Sequence, residues 1–156
     1  MGARKILLGG VGPLGCIPAE LNIFKSHNGR CIESLVNKLV RAYNKAIKEN
    51  VEKLVESHND LHILFADAYK QIMTFMHNHS QYGFTNVDTS CCGQGKYGAD
   101  LPCIPTAPYC ADRDAYVFWD RHHPTDKANL LIAKAYVYGS DYEIISPMNI
   151  LQLAQL

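Results

Sequence analysis

From Ile32 onward, apolar side chains fall at Leu35, Val36, Leu39, Val40, Tyr43, Ile47, Val51, Leu54 and Val55. That i, i+3, i+4, i+7 rhythm predicts a long helix with one buried stripe. Its other face carries Lys38, Arg41, Lys45, Lys48, Glu49, Glu52 and Lys53, which reads as a solvated helix face with no assigned function. Short apolar runs flank the helix. Lys5 to Gly9 ends in glycines and predicts a buried strand, with a loop following through Pro18. Leu61 to Ala66 predicts a second strand, and a helical stretch near Tyr69 to Met76 comes after it. A strand, helix, strand, helix order implies a parallel sheet covered by helices.

The rest of the chain is more varied. Asn78 to Arg113 holds four Cys, four Gly and three Pro with little periodicity, and reads as a long irregular, cross-linked or functional segment. Ala115 to Trp119 is β-prone. A helix is expected after Thr125, with Ala128, Leu131, Ile132 and Ala135 on one side, Asp126 at its positive end and Gly139 as its stop. The tail from Pro147 to Leu156 is expected to dock as a last helical turn or two through Ile150, Leu151 and Leu153.

Composition narrows the function. The 156 residues suit one domain or part of one, and 47% apolar content with 19% charged excludes a disordered chain. Fifteen Lys+Arg balance fifteen Asp+Glu, so no positive field is available for a nucleic-acid backbone. No apolar run reaches the roughly 20 residues that a transmembrane helix needs. Arg4 to Leu8 reads as a core strand and not as a secretion signal, and Met1-Gly2 lacks the Ser or Thr at position 6 that myristoylation wants. Six cysteines nevertheless form two sets, Cys16 and Cys31, then Cys91, Cys92, Cys103 and Cys110. The sets read as disulfide staples of an oxidising compartment, and adjacent Cys91-Cys92 without C-x-x-C spacing is poor for zinc. Asn78-His79-Ser80 is a glycosylation sequon. Cys16 with Cys31 is expected to close the loop before the long helix. In the later set, Cys103 and Cys110 pair either with Cys91 and Cys92 or with each other.

Two motifs compete for the chemistry. Gly10-Val11-Gly12-Pro13-Leu14-Gly15 matches G-x-G-x-x-G after a strand, with Glu33 near the place of a ribose-binding acid. Dinucleotide binding needs a helix that opens at the glycines, and Gly15-Cys16-Ile17-Pro18 is expected to break one at once, so this motif is set aside as a decoy. The second motif is Asp120-x-x-His123-Pro124, between a strand end and a helix start. In hydrolases, an imidazole takes a proton from a nucleophile while a carboxylate holds its other nitrogen and fixes the tautomer. Three residues of separation in a tight turn can bring such a pair together.

Gly2-Ala3-Arg4-Lys5, Gly12 through Pro18, Cys91-Cys92-Gly93, Cys103, Cys110 and Phe118-Trp119-Asp120 through Thr125 together resemble the C-terminal half of a plant GDSL esterase/lipase of the SGNH hydrolase superfamily. The resemblance covers nearly the whole chain, so residues 1–156 are expected to be the C-terminal portion of a single such domain. It implies a three-layer α/β/α, flavodoxin-like fold with a parallel sheet, incomplete on its N-terminal side. It also implies a secreted protein that hydrolyses carboxylic esters, including lipid esters, with a Ser-His-Asp triad and without cofactor or metal. By the D-x-x-H-P match, Asp120 is the orienting acid, His123 the general base and His122 a neighbour.

The family's serine lies in a Gly-Asp-Ser motif near the start of the full-length protein, and further oxyanion donors come from a glycine and a Gly-x-Asn-Asp block. None occurs here. Gly139-Ser140-Asp141 has the wrong order, Ser57-His58-Asn59-Asp60 lacks the glycine, there is no Gly-x-Ser-x-Gly elbow, and a cysteine nucleophile conflicts with the disulfide grouping. The chain by itself is therefore expected to be inactive or nearly so, to expose a sheet edge and an apolar face, and to have the missing N-terminal half as a partner. Two other readings compete: a non-catalytic lipid- or glycan-binding remnant of the fold, and a nucleotide-binding module resting on Gly10, Gly12 and Gly15.

Overall fold

The computed structural model describes residues 2–156; the myristoylation reading at Met1 falls outside them in part. β1 (Lys5–Gly9) pairs in parallel with β2 (His62–Ala66), residue for residue from Lys5 opposite His62 to Gly9 opposite Ala66. The connection runs through α1 (Pro18–Ile23) and α2 (Lys38–Glu56). After β2 come α3 (Ala68–His77), β3 (Asn86–Ser90), β4 (Tyr116–Phe118), α4 (Asp126–Tyr138), β5 (Ile145–Ser146) and α5 (Ile150–Ala154). The strands form two small sheets. One has the order β1-β2-β5, with two-residue β5 antiparallel to β2, and the other is the parallel pair β3-β4.

Side-chain alternation along β2 makes three layers. Leu64 and Ala66 pack with Ile145 and Leu153 beneath α4 and α5, where Tyr136, Met148 and Ile150 complete the cluster. Ile63 and Phe65 point the other way, toward hollows lined by α2, as a strand's period of two requires. A second core joins α3, β4 and α4 through Ile72, Phe75, Phe84, Val117, Phe118 and Ala128.

The stretch after β1 departs from the expected loop. Leu14–Cys16 forms a single 3-10 turn, and Pro18 opens α1 instead of ending a helix, because proline at the first helical position gives up only an N–H that would be unpaired there. The irregular segment likewise contains a strand, β3, whose polar sequence Asn-Val-Asp-Thr-Ser gives no apolar alternation.

The apolar stripe of α2 and of the helical turn before it (Glu33–Asn37) is split. Val40 is buried, but Leu35, Leu39 and Tyr43 are 53%, 65% and 54% exposed. With Leu7 and Leu14 they leave an open apolar surface beside β1, an edge strand. Two asparagines are buried in their place. Asn37 Oδ1 accepts the Gly15 N–H at 2.8 Å, and its amide donates to Glu33 Oε1 at 2.7 Å. Asn44 pairs with Val11 twice, accepting from its N–H at 2.8 Å and donating to its carbonyl at 2.7 Å. The loop after β1 is too tight for side chains here: a Cβ on Gly15 would lie 2.7 Å from the Ile32 carbonyl oxygen.

All three disulfides are formed. Cys16 pairs with Cys31, and the later set pairs as Cys91–Cys110 and Cys92–Cys103. Among the described residues no cysteine is free, and no helix is long and apolar enough to cross a membrane.

Candidate active site

Asp120 and His123 sit on the turn between β4 and α4, and each end of that turn is anchored. At the far end, buried Thr125 caps α4. Its hydroxyl accepts the Ala128 N–H at 3.2 Å and donates to the Tyr116 carbonyl at 2.8 Å, while its own N–H reaches the Val117 carbonyl at 2.9 Å. Within the turn, the Trp119 N–H donates to the His123 carbonyl at 2.8 Å. Outside it, the Ala19 N–H of α1 bonds to the Arg121 carbonyl at 3.0 Å.

The disulfide-linked segment holds the near end. Cys91 N–H donates to the Phe118 carbonyl at 3.0 Å and Cys92 N–H to the Trp119 carbonyl at 2.7 Å. Both cysteines are bridged onward to Cys110 and Cys103. The Arg113 guanidinium lies 5.3 Å from the Trp119 ring centre and 5.6 Å from that of Tyr109, within cation–π range of both. A backbone clamped from three directions fixes where the turn presents its side chains.

The turn folds around the carboxylate. Asp120 Oδ1 accepts the backbone N–H groups of His122 and His123, each at 2.8 Å. His123 Nδ1 lies 2.9 Å from Asp120 Oδ2 and 3.0 Å from Oδ1. An aspartate acceptor two and three residues before these donors is an Asx-type turn, which is why a sequence spacing of three brings acid and imidazole together. Burial of the carboxyl pushes its pKa up. The hydrogen bonds from the His122 N–H, the His123 ring and the His123 N–H outweigh that and hold it below the usual carboxylate value. Asp120 is thus ionised at neutral pH.

Exposure separates the two partners. The Asp120 side chain is 21% exposed and that of His123 is 74% exposed. An Nδ1–H held on the carboxylate leaves Nε2 as the lone-pair nitrogen, and Nε2 faces outward without a hydrogen-bond partner among the described residues. The arrangement can take a proton from a group brought to Nε2 and hold the resulting imidazolium against Asp120. His122 is exposed beside it, with ring centres 6.2 Å apart, and its ring does not bond to Asp120.

Among the described residues, no hydroxyl or thiol bonds to the His123 ring. Ser57 and Ser90 are engaged elsewhere, Ser57 with the Leu54 carbonyl and Ser90 with the Cys92 and Gly98 carbonyls. The glycine motif is no phosphate cradle. The N–H groups of Gly10, Val11 and Gly15 are taken by the Ala66 carbonyl, Asn44 and Asn37. Cys16, Cys31 and Glu33 are close enough to share a metal ion, but the two sulfurs are joined as a disulfide and cannot act as thiolate ligands.

An α/β/α layering with an aspartate-held, outward-facing histidine on the β4–α4 turn is an arrangement that hydrolases use. The family model described as GDSL-like Lipase/Acylhydrolase matches residues 1–136, and the chain belongs to that family. It is similar to three proteins of Arabidopsis thaliana, each named a GDSL esterase/lipase. One is 39% identical over 155 residues, which is 99% of this chain and 40% of the relative. A second is 40% identical over 158 residues, covering 100% of this chain and 42% of the relative. A third is 39% identical over 155 residues, covering 99% and 42%. The chain therefore spans about two fifths of the length of these relatives.

Proposed function

We propose that this chain carries the base-and-acid arm of an ester hydrolase, with His123 as general base and Asp120 as its orienting acid, and that the nucleophilic serine comes from residues outside 1–156. The observation that carries this is the Nδ1-to-carboxylate contact at 2.9 Å combined with an exposed, unpartnered Nε2. A carboxylate on Nδ1 with Nε2 left free is the arrangement that a general-base imidazole needs. Family membership supports ester bonds as the substrate class.

The chain corresponds to the C-terminal portion of the domain, on the order of its motifs and the two-fifths coverage of its relatives. The free edge of β1 and the exposed Leu7, Leu14, Leu39 and Tyr43 support the same reading, since both are features that a further part of the sheet would cover. Three disulfides and an exposed sequon asparagine, Asn78, support passage through an oxidising, secretory compartment.

By itself, the chain has no covalent catalysis to offer. Hydrolysis of p-nitrophenyl acetate by the purified protein is expected to match that of His123→Ala, with no labelling by a serine-directed fluorophosphonate. Hydrolysis that is abolished in His123→Ala and blocked by the probe would show that a serine within 1–156 completes the site, and the proposal would fail.

A further inference from the structure

We propose that Asn78 is a modification site that carries an N-linked glycan, an inference that rests on the reading of the chain as a secretory-compartment protein. Of the ten asparagines, Asn78 alone has Ser or Thr two residues on, in Asn78-His79-Ser80, the acceptor pattern for this modification. All three residues are exposed, as are His77 before them and Gln81 after them. That run holds no apolar side chain, so a bulky sugar attached there displaces no packing contact of the run itself.

The fold itself makes no use of an asparagine side chain at this position. Asn78 follows the last residue of α3, where asparagine is favoured when the backbone turns left-handed, yet its φ is −109°. The left-handed residue is Gly83, at φ 70°, which closes the 3-10 turn His79–Tyr82. The Asn78 backbone is already satisfied: its N–H donates to the Thr74 carbonyl at 3.0 Å, and its carbonyl accepts the Gln81 N–H at 2.9 Å. Its carboxamide and the Ser80 hydroxyl have no hydrogen-bond partner among the described residues. His79 between them is tied inward, its Nδ1 3.0 Å from the Phe84 carbonyl and its own carbonyl accepting the Phe84 N–H at 2.9 Å. Phe84 is buried in the core that joins α3, β4 and α4. The turn is thus anchored through its middle residue and leaves both flanking polar groups free.

The step is a glycosyl transfer in which this chain is the acceptor and a lipid-diphosphate-linked oligosaccharide is the donor. Asn78 Nδ2 bonds to the first sugar carbon as that carbon's bond to the diphosphate oxygen breaks. The lipid diphosphate leaves with the electron pair of the broken bond, one Nδ2 proton is released, and nothing is oxidised or reduced. Because the carboxamide is free beforehand, the transfer breaks no hydrogen bond of the fold. Among the described residues, none from Asn78 to Tyr82 bonds to the Asp120–His123 turn, and the test reads mass and stability, not hydrolysis.

Expression of the full chain in yeast behind a cleavable secretory leader tests this. The wild type is expected to run as a larger species that peptide N-glycosidase collapses, with peptide mass mapping finding aspartate at position 78 after treatment. Asn78→Gln and Ser80→Ala are expected to run at the collapsed size without treatment, and Ser80→Thr to keep the glycan. The glycosylated wild type and Asn78→Gln are expected to unfold at the same urea midpoint, since the carboxamide holds nothing in the fold. A wild type with all three disulfides formed and no glycan would overturn the proposal while leaving the compartment reading standing. A glycan that persists in Asn78→Gln would overturn it too, as would a glycosylated chain that unfolds well below Asn78→Gln.

Discussion

Thr125→Val tests whether the Asp120–His123 turn is held by its far anchor. The substitution keeps shape and removes one hydroxyl that is 1% exposed as part of its residue and makes two hydrogen bonds. Losing the cap on the Ala128 N–H costs about 1 kcal/mol, and losing the donor to the Tyr116 carbonyl costs about 1 kcal/mol more. Because valine fills the same volume, no cavity is added, and the sum stays near 2 kcal/mol. For a domain of this size that lowers the melting temperature by about 4–8 °C. Urea denaturation of wild type, Thr125→Val and Thr125→Ser would measure it. Serine retains both hydrogen bonds and is expected to lie well above valine in stability. A loss below about 0.5 kcal/mol in Thr125→Val, or equal losses in the serine and valine variants, would refute the reasoning.

Three further outcomes follow from other sites. Gln71 is 2% exposed and its Oε1 has no hydrogen-bond partner among the described residues, so Gln71→Met is expected to raise stability by about 1 kcal/mol in the same urea assay; a loss would show that the oxygen is satisfied. Removing the Cys16–Cys31 bridge, 15 residues apart, with Cys16→Ala/Cys31→Ala is expected to cost about 3 kcal/mol, and an unchanged midpoint would mean that the pair is not bonded in solution. The native Asp120 carboxyl titrates below its unfolded value, so its contribution is fully present above the unfolded pKa and is lost as pH falls through the native one. The stability gap between wild type and Asp120→Asn should be widest above about pH 5 and close in acid; a gap that widens in acid would reverse the assigned sign.

Much of the site was legible because it is local. Asp120, His123 and Thr125 lie within six residues, and an acidic acceptor followed by N–H donors folds on itself without help from distant chain. The long helix, the two apolar strands beside it and the capped α4 were legible for the same reason. What escaped depends on partners far away in sequence. Asn37, in the turn before α2, and Asn44 within it interrupt the apolar rhythm that starts at Ile32, and their role appears only when the glycine loop 22 and 33 residues earlier packs against them. β3 is polar and exists because β4, which pairs Asn86 with Tyr116, supplies its ladder. The pairing of the last four cysteines is a matter of spatial order, and the exposure of Leu35, Leu39 and Tyr43 reflects what lies beside β1 and not their own pattern.

The most direct test of the central claim joins the chain to the part of a relative that it does not match. The segment of one of the Arabidopsis thaliana GDSL esterase/lipase relatives that this chain does not match, fused ahead of residue 1, would be assayed with p-nitrophenyl esters beside its His123→Ala and Asp120→Asn variants, each shown to unfold cooperatively. Turnover blocked by a fluorophosphonate, abolished in His123→Ala and reduced by up to about 10⁴-fold in Asp120→Asn is the expected result. A folded fusion whose hydrolysis is indifferent to both substitutions would contradict the assignment of Asp120 and His123 as the acid and base of the triad.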